Sequence, residues 1–182
     1  MKMNNYLVNL TKNKILVFKK RKLSKLNIKK VRIKIKSVGV CASDISRAYN
    51  NGAYNYPLVM GHEITGEIYE SKINIFKKKQ KVSIFPLIPC KKCINCKLKK
   101  YNHCLSYSYY GSREDGGFAK YLDVDPWNIV KLPKNINYLD SFAMEPSAVA
   151  LNTINRTFEK KPKKNEKLLI AGSGFIGLLI TQ

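Results

Sequence analysis

Up to Pro133 the chain repeatedly alternates apolar and polar residues, the two-residue period of strands that bury one face. Val31, Ile33 and Ile35 alternate with Arg32, Lys34 and Lys36. Tyr6 to Leu10 and Lys14 to Phe18 flank a polar Thr11-Lys12-Asn13 turn and predict an opening hairpin. Leu58 to Met60, Ile64 to Tyr69, Val82 to Phe85, Phe118 to Val124 and Asn128 to Leu132 predict further short strands, interrupted by a cysteine-rich loop from Cys90 to Cys104. Beyond Pro133 the period changes. Leu139 to Ile154 carries apolar residues at helical spacing, with Pro146 tolerable near a helix start. Pro162 to Lys167 predicts a charged turn, and Lys167 to Ala171 a buried strand running into glycines. No internal repeat is evident.

Composition narrows the setting. A chain of 182 residues suits one ordinary domain with part of a second, and 45% hydrophobic residues can fill a core. With 34 Lys+Arg against 12 Asp+Glu the net charge is +22, the electrostatic footprint of a polyanion binder. Yet the arginines, which read bases and phosphates best, are only Arg21, Arg32, Arg47, Arg113 and Arg156, and the lysines are spread along the chain. The charge therefore reads as a solvated, compositionally biased surface rather than a nucleic-acid face. The strongly apolar stretch Leu168 to Ile180 is too short, and too interrupted by glycines, to span a bilayer, so no membrane partner is expected. No secretory signal is read at the N-terminus, and the cysteines are too few for a disulfide scaffold. The expected compartment is the cytoplasm.

Cys90, Cys93, Cys96 and Cys104 carry the strongest chemical signal. Two-residue gaps and a fourth thiol shortly beyond can wrap one loop around a single ion, and zinc favours such a closed sulfur shell, which makes the site structural. Free or disulfide-bonded cysteines and an iron–sulfur centre are the alternatives. His103, beside Cys104, reads as a surface residue. A second signal is dispersed. Cys41 follows a strand, His62-Glu63 follows Gly61, and Glu145 lies far downstream. Together they offer a thiolate, an imidazole and carboxylates, a set that leaves the open position a catalytic zinc requires. The third is Gly172-Ser173-Gly174-Phe175-Ile176-Gly177 after the apolar Leu168 to Ala171. In that context Gly172, Gly174 and Gly177 suit close approach to a dinucleotide pyrophosphate, with a plain glycine turn as the alternative.

In this order the signals resemble the zinc-dependent medium-chain alcohol dehydrogenases, and within them the polyol branch. The resemblance rests on Val31 to Asp44, Gly61-His62-Glu63, the four-cysteine lobe, Gly116-Gly117-Phe118-Ala119, Glu145-Pro146 and the glycine motif. Closer similarity lies in Asn51 to Pro57, Pro86 to Cys90 and Tyr110 to Gly117. It implies a mainly β, GroES-like catalytic domain over residues 1–151 with a zinc lobe at 90–104, followed over 152–182 by the truncated start of an α/β Rossmann domain. Cys41, His62 and Glu145 match the catalytic zinc ligands, Glu63 a carboxylate that ligates directly or sits close behind, and Ser43 the hydroxyl that passes on the alcohol proton. The implied cofactors are zinc, in a structural and a catalytic site, and NAD or NADP. The implied substrate is a polyol or sugar-phosphate alcohol, with Arg47 and the lysine field favouring phosphate. The expected partners are further copies of the chain, as a homo-oligomer, or a complementing C-terminal fragment that would supply the cofactor domain, and the chain alone is expected to be inactive. The alternative function is a zinc-stabilised basic module that binds nucleic acid. Two departures stand out: Ala42 replaces a common glycine, and residues that resist positive φ occupy two turns, at Tyr69 to Lys72 and Lys79 to Lys81.

Overall fold

The computed structural model describes residues 3–158 and 165–182, so Pro162 to Lys164 of the expected charged turn lie outside the described residues. The chain forms two compact units, Met1–Phe142 and Ala143–Gln182. The first unit ends before the boundary expected at residue 151, which falls inside a helix.

That first unit is mainly β, as the alternation predicts. Strands β1 (Asn4–Lys12) and β2 (Ile15–Lys22) form the opening hairpin, longer than expected and turning at Asn13-Lys14. Then come β3 (Val31–Gly39), a helix α1 (Ala42–Tyr49), β4 (Leu58–Val59), β5 (Glu63–Ser71), β6 (Lys81–Ile84) and β7 (Leu87–Ile88). A short α2 (Ile94–Lys97) lies in the cysteine loop, followed by β8 (Ser108–Tyr109), β9 (Tyr121–Val124), β10 (Ile129–Lys131) and α3 (Tyr138–Ser141). All ladders are antiparallel: β10-β6-β5-β3-β9 in one sheet, β2-β1-β4 in a second, and β7-β8 as a pair. The first two sheets join where β1 meets the chain leading into β9, through Val8 N–H to the Phe118 carbonyl at 2.8 Å and Lys120 N–H to the Tyr6 carbonyl at 2.7 Å.

The core gathers Val31 and Ile33 of β3, Ile64 and Ile68 of β5, Val82 and Ile84 of β6, and Leu122 and Val124 of β9. Truncating Ile33, Ile64, Ile68, Ile84 or Leu122 to alanine would leave a cavity costing about 2–5 kcal/mol, read as a fall in the denaturant midpoint. Arg32 departs from the simple alternation, being only 3% exposed. Its guanidinium is satisfied by Asp123 at 2.7 and 2.8 Å, by the Ser24 carbonyl at 3.0 Å and by Glu70 at 3.4 Å. Charge compensation from distant strands, invisible in a local pattern, makes that burial tolerable.

The two expected difficult turns resolve differently. Tyr69 to Ser71 simply continue β5, whereas Lys79 does adopt a positive φ of 67°. Its N–H donates to the Ile68 carbonyl at 2.8 Å, so a backbone bond to β5 holds a conformation that glycine would adopt more cheaply.

The second unit contains α4 (Met144–Thr157) and α5 (Phe175–Thr181). The single helix expected over Leu139 to Ile154 is instead α3 and α4 separated by a short break, with Pro146 in the first turn of α4, where its missing N–H costs no helical bond. The expected buried strand Lys167 to Ala171 is not one. It makes no ladder among the described residues, and Leu169 is 92% exposed. An apolar run becomes a buried strand only when neighbouring strands pair with it and cover it, which no local pattern guarantees. No helix among the described residues is long and apolar enough to cross a membrane.

Candidate metal centres

The cysteine loop leaves the β scaffold at a fixed point. Asn128, 1% exposed, donates from Nδ2 to the Phe85 and Leu87 carbonyls at 2.6 and 2.7 Å, while its own carbonyl accepts from Phe85 N–H at 2.8 Å. Next to it Trp127 packs edge-on against Tyr101, tilts against Phe85, and carries the Lys91 ammonium over its face. The strand pair and the loop are thereby clamped to the chain entering β10.

Within the loop all four sulfurs lie within 4.8 Å of one another. Cys90 and Cys96 are 3.9 Å apart, and Cys93 and Cys104 4.0 Å. Four zinc–sulfur bonds of about 2.3 Å at tetrahedral angles give sulfur–sulfur edges of about 3.8 Å, so the quartet fits one ion and is too tight to surround a multi-iron cluster. The cysteines are free thiols, not disulfides. Backbone N–H groups already point at the sulfurs: Cys90 N–H donates to Cys104 Sγ at 3.2 Å and Cys93 N–H to Cys90 Sγ at 3.4 Å. Such donors favour thiolate. N–H groups of Leu105 and Cys96 hold the Cys93 thiol down to about 6, and those of Lys92 and Cys93 lower Cys90. Cys96 is pushed the other way, up to about 12, by burial and by neighbouring sulfurs. His103 stays outside the quartet, exposed in a 3-10 turn.

The second cluster assembles from two β connections. Cys41 caps α1 at the end of β3, and His62-Glu63 opens β5, the ladder partner of β3 at Gly39. Ligand atoms of half-buried Cys41 and buried His62 and Glu63 converge within 4.8 Å, close to the reach of one ion bonded at about 2.0–2.3 Å. Tyr109 lies edge-on to His62 with ring centroids 5.9 Å apart. Gly111, at φ 79°, sits so close to Gly61 that a side chain on it would overlap the Gly61 backbone, which fixes the Tyr109 turn against the His62 connection.

Asp44 ties this cluster together, and the motif reading did not single it out. Only 2% exposed, it accepts from Cys41 N–H at 3.1 Å and from Gly61 N–H at 3.4 Å, and pairs with Arg47 at 3.2 Å. Its Oδ1 also faces His62 Nδ1 at 3.6 Å, which favours the tautomer that leaves Nε2 as the acceptor. The available signal was its place in the third position of α1, where a carboxylate reaches back to the helix-capping N–H. Ser43 stands beside it, and its Oγ accepts from Arg47 Nη1 at 3.0 Å.

Glu145 lies in the first turn of α4, in the second unit. In the same unit Gly172 has a φ of 118°, Gly174 caps α5 and Gly177 lies within it. Gly172 and Gly177 line a shallow cavity of about 360 Å³ with Ile170, Ser173, Leu178 and Thr181; Gly174 is not among its walls.

Residues 27–134 match the family model of the alcohol dehydrogenase GroES-like domain. The chain belongs to this family. It is 38% identical over 154 residues to galactitol 1-phosphate 5-dehydrogenase of Escherichia coli K12, a match covering 84% of this chain and 44% of that protein. The crystal structure of galactitol-1-phosphate dehydrogenase from Escherichia coli superposes with a TM-score of 0.88 at 32% identity, covering 96% of this chain and 51% of that one. The rspB alcohol dehydrogenase of Escherichia coli CFT073, complexed with NADH, gives 0.87 at 28% identity, covering 97% and 52%. This GroES-like chain thus spans about half the length of the relatives it matches.

Proposed function

We propose that the chain is the metal-carrying N-terminal half of a zinc-dependent dehydrogenase that oxidises a polyol or sugar-phosphate alcohol with NAD or NADP. The observation carrying this reading is the convergence of Cys41, His62 and Glu63 within 4.8 Å on the scaffold of an alcohol dehydrogenase GroES-like domain. Cys41, His62 and Glu63 would hold a catalytic zinc, and the cysteine quartet a structural one. For Glu145 as a further ligand, and for Gly172, Gly174 and Gly177 as the pyrophosphate loop, the support is the family resemblance alone. Bound zinc would supply Lewis acidity that lowers the pKa of an alcohol, and the nicotinamide would accept the hydride.

The chain's own residues do the positioning and the proton work. Asp44 keeps the His62 ring oriented and anchors the Cys41 and Gly61 backbones. Ser43 Oγ would receive the alcohol proton while passing its own to solvent water, a role open only to a group that both donates and accepts. Arg47, donating to that oxygen, stabilises it as its proton leaves.

Fusing the chain through Gln182 to the C-terminal half of the galactitol 1-phosphate dehydrogenase it resembles tests the proposal. With both metals loaded, the fusion is expected to reduce NAD or NADP with a polyol or its phosphate, and Cys41→Ser to abolish this. A folded, metal-loaded fusion with no turnover on any such alcohol would overturn it.

A further inference from the structure

Arg113 stands on the turn after β8, outside the ligand cluster but tied to it. Its N–H donates to the Tyr109 carbonyl at 3.0 Å, and the Tyr109 ring meets His62. Asn55 Nδ2 donates to the Arg113 carbonyl at 3.4 Å, drawing in the loop that carries Tyr54. The guanidinium carbon then lies 4.4 Å from the Tyr54 ring centroid and 4.5 Å from that of Tyr107. With two tyrosine rings this close to the group, its conformational freedom is restricted before any ligand arrives.

Its charge is also unspent. Arg21, Arg32 and Arg47 each pair with a carboxylate, whereas among the described residues Arg113 has none within ion-pair distance. The acidic neighbours are engaged elsewhere: Glu114 accepts from Ser108 Oγ at 2.9 Å, and Asp115 pairs with Arg21 and accepts from Val59 N–H. Arg113 Nη2 makes one long contact, to Tyr107 Oη at 3.4 Å. A cation held by two aromatic rings, with donors along its edge and no carboxylate partner among the described residues, is built to take an anionic oxygen pair.

We propose that Arg113, clasped by Tyr54 and Tyr107, binds the phosphate of a phosphorylated alcohol substrate and so sets specificity at the metal site. The assignment rests on the dehydrogenase reading of Cys41, His62 and Glu63, and narrows it. Arg113 would act by holding the far end of the substrate, leaving the proton step to Ser43. A phosphate suits it better than a single-charged carboxylate, because the dianion offers several oxygens to the fork and the larger charge to an unpaired cation.

Calorimetric titration of the zinc-loaded chain with galactitol 1-phosphate, galactitol and L-galactonate tests the assignment. Galactitol 1-phosphate is expected to bind tightest. Arg113→Met should weaken it by about tenfold or more while leaving galactitol unchanged, and Arg113→Lys, which keeps charge but loses the fork, should recover only part. The absorption of the cobalt-loaded chain reports the metal site separately. Unweakened phosphate binding in Arg113→Met, or a wild-type chain that prefers galactitol or L-galactonate, overturns the assignment while an intact Cys41-dependent cobalt signal leaves the metal reading standing. A cobalt signal indifferent to Cys41→Ser overturns the metal reading, and the assignment with it.

Discussion

Asp44→Ala is expected to lower the stability of the first unit by about 3–5 kcal/mol, the scale for removing one partner of a buried ion pair. The carboxylate is 2% exposed and serves Arg47, two backbone N–H groups and the face of His62 at once. Alanine would strand the Arg47 charge and two donors, and would free the Cys41 and Gly61 connections from each other. Asp44→Asn separates architecture from electrostatics. It preserves shape and some hydrogen bonding but removes the negative charge facing His62, so metal affinity at the Cys41 cluster should fall about 10–100-fold with a smaller stability loss. Denaturant unfolding and competitive metal titration measure the two effects. An Asp44→Ala chain within about 0.5 kcal/mol of the wild type would contradict the role assigned to this carboxylate.

Cys93→Ser is expected to remove one zinc equivalent per chain and to leave the Cys41 cluster loaded. Three sulfurs cannot close the tetrahedral shell, and the serine hydroxyl is a poor thiolate substitute. The wild-type lobe should also bind zinc more weakly as pH falls. At neutral pH the metal-free quartet holds a proton on Cys96, pushed up to about 12, while Cys93, held down to about 6, is already thiolate. Zinc must displace the Cys96 proton, so affinity should rise by about tenfold per pH unit for each proton released across the neutral range. Below about 6 the Cys93 proton adds to the competition and the dependence should steepen. Zinc titrations at several pH values, with proton release followed in weak buffer, check this. A pH-independent affinity, or full zinc content in Cys93→Ser, would contradict it.

What could be read in the sequence was what the chain encodes locally. The cysteine quartet is confined to one loop, so spacing alone proposed a single ion, and the alternation in β3 and β5 located the central sheet. The family resemblance joined Cys41 to His62, because their meeting depends on β3 pairing with β5. Asp44 escaped notice for a related reason: Gly61 and His62 reach it from the β5 connection, while only Cys41 and Arg47 are local to its helix. Helix α1 itself was missed: it is only eight residues long, and the face it buries carries Asp44 and Ala48 while Ile45 and Tyr49 are exposed. Buried Arg32 depends on Asp123, which β9 supplies from far along the chain. Lys167 to Ala171 shows the opposite failure, an apolar run that promises a buried strand but does not contain the neighbours that would bury it.

Cobalt(II) loading tests the central claim most directly. The account predicts two ions per chain, one in a four-thiolate environment and one with a single thiolate. Cys41→Ser should remove the second and leave the absorption of the cysteine lobe unchanged. A chain that takes up one cobalt, with a spectrum indifferent to Cys41→Ser, would contradict the claim that Cys41, His62 and Glu63 share a metal ion.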